Sequence, residues 1–353
     1  MDVSPRKTKK TPMAHPYEDI PPSGEVIEVA QGVFWLSMPL PFPGLDWINL
    51  WLIEGETGWT MVDTGMNDAG TQDIWESIFA KVLGGKPVNR VIVTHLHPDH
   101  VGLAGWACRK WNCDLWMTRL EYLTCRTMMA DTGRQAPEAG INFYKRAGWD
   151  EDAINRYKER FGTFGQSISQ LPDSFHRLAD GDVLTIGGRG WKVITGAGHS
   201  PEHACLFCPD LNVLISGDQL LPGISSNVSV LPTEPEANPL QDWQDSCAKL
   251  IRSVPEDVLV LPAHNKPFYG AHGRLKALID GHERQLERLS QRLEEPARVV
   301  DLFATLFFRN ITLSNISSAT GEALAHLNCL RHRGLVKREL VDSVYVYSQA
   351  DSN

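Results

Sequence analysis

Between Val26 and Thr64 apolar residues come in short runs broken by turn formers: "GVFWLSM", a proline-rich loop "PLPFPGLDW", then "INLWLIEG" and "GWTMVDTG". Runs of this length, rich in β-branched and aromatic residues, predict hairpin strands. The period then changes. In "TQDIWESIFAKVL", residues 71–83, Ile74, Ile78 and Val82 recur every fourth position, which predicts an amphipathic helix with Thr71 as its N-cap. "NRVIVT" reads as a short buried strand that runs directly into "THLHPDHVG", and "HVGLAGWACRKW" predicts a helix after it.

From about Arg119 to Phe175 strand formers become scarce, and "RLEYLTCRTMMAD" and "DEDAINRYKERFGTF" predict a helical insertion over about 119–175. Strand texture returns in "DVLTIGG", "GWKVITGAG", "ACLFCPD" and "NVLISGD". A helix near Gln241–Arg252 precedes the strand "DVLVLPAH". After Gly273 the chain turns helical. "RLKALIDGHERQLERLSQRL" puts Leu278, Leu286, Leu289 and Leu293 on one face. "RVVDLFATLFF", "TGEALAHLNCLRHRGL" and the closing "VKRELVDSVYVYSQ" follow. Helices followed by a hairpin are the grammar of a winged helix. Three parts are expected: an N-terminal arm over 1–24, flexible or loosely docked, a core over 25–272, and a winged-helix-like domain over 273–353.

Composition narrows the classes. The net charge of −9 gives no bulk attraction to nucleic acid or to an anionic membrane. No run approaches the roughly 18 apolar residues of a membrane helix. The basic N-terminal run is followed by prolines, not by an apolar stretch, so a signal peptide is not expected. Seven scattered cysteines, an odd number, fit reduced thiols and a cytoplasmic setting. Cys205 and Cys208 form a C-x-x-C, but on a strand residues three apart face opposite ways, so two buried thiols are expected.

Three of the 12 histidines fall within six positions, His95, His97 and His100, with Asp99 among them. A strand ending at Thr94 would send His95 and His97 to one side. Pro98 then forces a turn, and Asp99 and His100 open the next helix. One loop can thus aim four ligands at one volume. Imidazoles and a carboxylate suit Zn2+, and also Fe2+ or Mn2+. Three further candidates each follow an apolar run: His199 in "GAGHSPEH", Asp218 in "LISGDQL" and His264 in "VLPAHNKP".

H-x-H-x-D-H, then G-x-G-H, S-G-D and P-x-H in that order resembles the signature of the metallo-β-lactamase-fold hydrolases. "MVDTG", with Asp63, is similar to that family's first motif. The resemblance spans about residues 25–272. It implies an α+β protein, an αββα sandwich with a dinuclear site at one edge. His95, His97 and His199 would hold one ion, and Asp99, His100 and His264 the other. Asp218 would bridge them, and Asp63 would steer a ligand histidine or the loop from behind. Two divalent ions are implied, zinc foremost. The helical tail with "GEALAHLNCLRHRGLV" resembles the beta-lactamase-like-protein-2 branch, near glyoxalase II.

The chemistry so implied is hydrolysis by a hydroxide held between two cations, with Asp99 relaying its proton to the leaving group. No G-x-S-x-G motif marks a serine nucleophile. An acyl bond is the expected target, a thioester of CoA or glutathione type ahead of a lactone. A single-strand endoribonuclease is the alternative. A mononuclear iron persulfide dioxygenase is a third reading, which leaves the set Asp99, His100 and His264 unexplained. Phe42 and Trp47 in the aromatic loop, and Ile224, Ser226 and Asn227 in "LLPGISSNVSV", are candidate substrate walls. Arg331, Arg333, Lys337 and Arg338 cluster toward the wing. They read either as a nucleic-acid phosphate patch or, preferred, as a surface that supports the core or a homodimer contact. The expected partner is a small-molecule acyl substrate, with no membrane.

Overall fold

The computed structural model describes residues 13–42, 44–308 and 310–350. Seven strands lie side by side in chain order: β1 (Ile27–Ala30), β2 (Val33–Phe42), β3 (Leu45–Glu54), β4 (Trp59–Val62), β5 (Val88–Ile92), β6 (Asp114–Thr118) and β7 (His176–Leu178). The first four are antiparallel neighbours, and the remaining pairings are parallel. Parallel neighbours need crossover connections. These are α1 (Ala69–Val82), then α2 (Pro98–Val101) with α3 (Ala104–Trp111). Between β6 and β7 come α4 (Arg119–Ala130), α5 (Glu138–Arg146) and α6 (Glu151–Arg160). A second sheet holds β8 (Val183–Ile186), β9 (Arg189–Gly196), β10 (His203–Cys208) and β11 (Val213–Gly217). β12 (Leu259–Pro262) joins β11 in parallel after α7 (Pro239–Ser253).

Strand periodicity builds the layers. Trp35, Trp51, Ile53 and Ile92 of the first sheet meet Trp191, Val193, Leu206 and Ile215 of the second in one buried layer. Leu50 and Leu52, alternating with Trp51 and Ile53, face the other way, under α1 and α3. Cys205 and Phe207 pack with α7, while Ala204, Leu206 and Cys208 face the inter-sheet layer. Cys205 and Cys208 are therefore buried free thiols on opposite faces of one strand. Helices, sheet, sheet and helices make the αββα sandwich that the resemblance implied.

Two local expectations are corrected. Thr71 does not cap α1. The helix opens two residues before it, and Asp68 is the N-cap, its carboxylate accepting from the Thr71 amide and hydroxyl at 2.9 Å each. The buried face is Trp75, Ile78 and Phe79, so it is rotated from the one that Ile74 and Val82 suggested. The helix read from "HVGLAGWACRKW" is broken between α2 and α3. A Cβ at Gly102 would stand 2.4 Å from the Gly65 carbonyl oxygen and 2.7 Å from the Asn67 nitrogen, so two loops cross there at backbone contact.

Of the arm over 1–24, residues 1–12 fall outside the described residues. Ala14 pairs with Tyr269, the Tyr17 hydroxyl donates to the Val29 carbonyl at 3.0 Å, and Ser37 Oγ donates to the Pro21 carbonyl at 2.8 Å. This part of the arm lies along the sandwich.

The C-terminal part is α8 (Ala271–Arg292), β13 (Ala297–Arg298), α9 (Phe303–Leu306), α10 (Ile316–His332), β14 (Val336–Val341) and β15 (Val344–Gln349). β15 lies between β13 and β14. Leu278, Leu286, Leu289 and Leu293 are buried in the core shared with α7. α10 is enclosed: from Ala319 to Leu330 every residue but Glu322 is buried. The arginines of the basic cluster are ion-paired. Arg331 and Arg338 flank Glu236 at 3.0 and 2.9 Å, and Arg333 grips both oxygens of Glu283 at 2.8 Å.

Candidate metal centre

The strand ends gather at one edge of the sandwich. β4 delivers Asp63, β5 leads into His95–His100, β9 into His199, β11 into Asp218, and β12 into His264. The seven proposed ligands fall into two groups, His95, His97, His199 and Asp218, then Asp99, His100 and His264. Within each group the ligand atoms lie within 4.8 Å of one another.

Asp218 belongs to both. Its Oδ2 is 3.2 Å from His199 Nε2 and 3.9 Å from His95 Nε2. Its Oδ1 is 3.4 Å from His264 Nε2 and 3.6 Å from His100 Nε2. Asp99 Oδ2 stands 3.4 Å from His264 Nε2 and 3.7 Å from His100 Nε2.

Contacts from behind fix which nitrogen each ring presents. His100 Nδ1 is 2.7 Å from Asp63 Oδ2, His199 Nδ1 is 2.7 Å from the Asn227 carbonyl, and His264 Nδ1 is 3.2 Å from the Trp47 carbonyl. Each acceptor receives a hydrogen bond from Nδ1–H and so turns Nε2 into the site. Asp63 also accepts from the amide and hydroxyl of Thr94, both at 2.8 Å, so it holds a histidine and the loop together.

Three buried atoms aimed inward, His100 Nε2, His199 Nε2 and Asp218 Oδ1, have no hydrogen-bond partner among the described residues. Buried polar atoms are rarely left so, and here several crowd together without hydrogen-bond geometry. Imidazole nitrogens and carboxylate oxygens converging in this way fit two divalent cations.

The electrostatics agree. Burial, with neighbouring imidazoles, holds His95 far below the usual histidine range. Burial and His199 push His97 down to about 3. Both are neutral donors. Burial also opposes charge on His100, but Asp63, Asp99 and Asp218 outweigh it and raise the ring to about 10. Burial opposes ionisation of Asp218, yet His264 and His100 hold its carboxyl well below the usual carboxylate range. The second group is where a cation would displace protons.

The sequence reading missed the residues that brace these ligands. His203, wholly buried, accepts from the Asp218 amide through Nε2 at 3.1 Å. Gly217 must be glycine: its φ is +48°, and a Cβ there would stand 2.5 Å from His203 Nε2. Asn49 donates to the Pro262 carbonyl at 2.8 Å, and its amide nitrogen donates to the Ala263 carbonyl at 2.7 Å, which pins the turn that carries His264. Glu121, at the start of α4, accepts from the amides of Leu96 and Glu202 at 2.9 and 2.8 Å. It ties the loop of His97 to the loop of His199. "GAGHSPEH" shows a second histidine, but nothing in the sequence separates His203 from an ordinary core residue.

The proposed wall residues divide. Phe42 and Ile224 are exposed, at 42% and 43%. Trp47 is half-buried, and its indole donates to Asn49 at 3.1 Å. Ser226 is buried and donates to the Asp218 carbonyl at 2.5 Å. The Asn227 side chain donates to Glu322 of α10 at 2.8 Å. Trp47, Ser226 and Asn227 therefore hold the ligands in place. Phe42 and Ile224 are the most exposed of the five.

The family description "Metallo-beta-lactamase superfamily" matches residues 44–264, and "Metallo-beta-lactamase-like, C-terminal domain" matches 286–350. The chain belongs to the metallo-beta-lactamase superfamily. It is 23% identical over 318 residues, 85% of this chain and 92% of the relative, to a "Probable metallo-hydrolase YqjP" of Bacillus subtilis. It is 25% identical over 251 residues, 68% of this chain and 80% of the relative, to "Acyl-coenzyme A thioesterase MBLAC2" of Homo sapiens. A beta-lactamase domain protein from Burkholderia ambifaria superposes with a TM-score of 0.88 at 40% identity, covering 96% of this chain and 98% of that one. The chain is a metallo-hydrolase of this fold. Among the described residues no helix is long and apolar enough to cross a membrane.

Proposed function

We propose that the protein is a dinuclear hydrolase of acyl bonds, with a thioester of CoA or glutathione type ahead of a lactone. One observation carries the dinuclear reading: the Asp218 carboxylate turns one oxygen to each ligand group. Two cations held there would lower the pKa of a shared water from about 15.7 toward neutrality and polarise the acyl oxygen. The chain's own residues do the rest. Asp63, Asn227 and Trp47 keep three imidazoles in their donor tautomers. Asp99, at the less buried side of the second group, takes a proton from the attacking water and returns it to the leaving thiolate.

The relative described as an acyl-coenzyme A thioesterase supports the thioester. The largely buried α10 and the ion pairing of Arg331, Arg333 and Arg338 with Glu236 and Glu283 weigh against the nuclease. A helix buried from Ala319 to Leu330, Glu322 apart, has no continuous face for a phosphate backbone. The complete second ligand group weighs against a single iron.

Metal analysis, followed by hydrolysis of acyl-CoA, acyl-glutathione and lactone substrates beside a single-stranded RNA oligomer at matched salt, tests this. Two divalent ions per chain and thioester turnover are expected. RNA cleavage without thioester turnover, or one iron per chain with no hydrolysis, overturns it.

A further inference from the structure

The outer face of α8 borders a cavity of about 660 Å³, within the size range of small-molecule sites. Arg274, Gly281 and Arg288 are spaced by seven and share a helix face, with Arg284 beside them. All four line the cavity. Among the described residues neither Arg284 nor Arg288 has a carboxylate within 4.0 Å. Glu287, the acid on the same wall, pairs with neither. Unpaired arginines around a hollow suit an anion, and phosphate above all.

Two further observations point to an occupant. Gly281 sits in the middle of a 22-residue helix, where glycine is disfavoured. No packing demands it: a Cβ there would meet only the Arg284 guanidinium, at 3.9 Å. The space that the missing side chain leaves belongs to the cavity. Phe308, at the rim, is 98% exposed, and the Arg288 guanidinium lies 5.9 Å from its ring centre. A bare aromatic ring beside arginines is a platform on which a nucleobase stacks.

The cavity also touches the loop that leads away from the candidate metal centre. Its lining includes Gly223 and Ser225, in the loop that follows Asp218. Arg274 holds that loop through the carbonyls of Leu221 and Ile224, both at 2.7 Å. The same loop donates from Ser226 to Asp218 and receives His199 on the Asn227 carbonyl.

We propose that this cavity takes the phosphorylated nucleotide handle of a coenzyme A thioester, with Arg284 and Arg288 on the phosphates and Phe308 under the base. The assignment rests on the thioester reading and narrows it from glutathione to a nucleotide-bearing thiol.

The test uses two variants of the metal-loaded protein. Arg284→Gln/Arg288→Gln removes the charge, and Gly281→Leu fills the hollow while favouring the helix. Calorimetric titration with desulfo-coenzyme A, which lacks the thiol that would seek the metals, reads the subsite without turnover. Binding about tenfold weaker in both variants is expected. The ratio of kcat/KM for an acyl-CoA to that for the same acyl N-acetylcysteamine thioester should fall by about the same factor. Unchanged desulfo-coenzyme A affinity in both variants overturns the subsite even if thioesters are hydrolysed. Binding of a single-stranded RNA oligomer but not of desulfo-coenzyme A overturns it also. Tight, arginine-dependent binding with no thioester turnover would keep the subsite and reject the reaction.

Discussion

His203 Nε2 accepts a hydrogen bond from the backbone amide of Asp218, 3.1 Å away, in a region closed to water. An imidazole that accepts through Nε2 carries its proton on Nδ1 and is neutral. Burial, opposed by Asp218 and reinforced by neighbouring histidines, holds His203 far below the usual histidine range. The ring supports the bridging carboxylate through its own main chain. His203→Phe leaves that amide unpaired, at about 1–3 kcal/mol, and loosens Asp218. Metal affinity about tenfold lower or worse is expected by competition with a chelator. Unchanged affinity in a destabilised variant would reduce His203 to a core residue.

Removing metal should unbalance the centre, because His100 Nε2, His199 Nε2 and Asp218 Oδ1 then have no partner. Dialysis against a chelator is expected to abolish turnover and lower the melting temperature, with both restored by zinc. Full activity in a sample shown by elemental analysis to be metal-free would sink the centre as described.

Glu121 has no place in the ligand set, yet it joins both loops of the first group. In Glu121→Gln an amide NH2 faces one of the two backbone donors. A stability loss of about 1–3 kcal/mol in urea unfolding is expected, with a fall in kcat larger than any change in KM. A stable, fully active variant would show that the loops hold their positions without it.

Acid should weaken the joint between α8 and α10. His282 and His326 face each other there, Nδ1 to Nε2 at 3.4 Å, with Gln285 3.2 Å from His326 Nε2. Burial lowers both to about 4, with Glu283 and Gln285 opposing the shift at His282 and His282 adding to it at His326. Above pH 6.5 neither folded nor unfolded chain protonates them. Between 6.5 and 4 the unfolded chain takes protons that the folded one refuses, so stability falls as pH falls, by up to roughly 3 kcal/mol per histidine. Urea midpoints of His282→Leu/His326→Leu should drop less steeply over that window than those of the parent. Parallel curves would show that other groups set the acid response.

Arg333 holds both oxygens of Glu283 and reaches Gln244 at 3.1 Å, joining the end of α10 to α8 and α7. Arg333→Ala is expected to lower stability by about 1 kcal/mol without changing affinity for an RNA oligomer. A loss of RNA affinity with unchanged stability would restore the phosphate-patch reading.

The seven candidate ligands could be picked out in the sequence because each stands where local rules aim a side chain, and the structure brings them together. Strand period puts His95 and His97 on one side, Pro98 turns the chain, and the other ligands each end an apolar run. The strands were legible from the same alternation, whereas the sandwich was implied only by the family resemblance. The residues that make the site rigid were not legible. Asn49, Glu121 and His203 act on partners distant along the chain, through backbone amides and carbonyls that carry no side-chain signature. The start of α1 escaped because Asp68 reaches forward to Thr71, and the break after Val101 because Gly102 meets Gly65 and Asn67 across the fold. The surroundings of Arg331, Arg333 and Arg338 were also decided by packing: a basic run has the same composition whether it faces solvent or folds back onto Glu236 and Glu283. Short-range geometry thus marked the candidate donors along the chain. Contact between distant segments decided what holds them, what covers α10, and where a substrate has room.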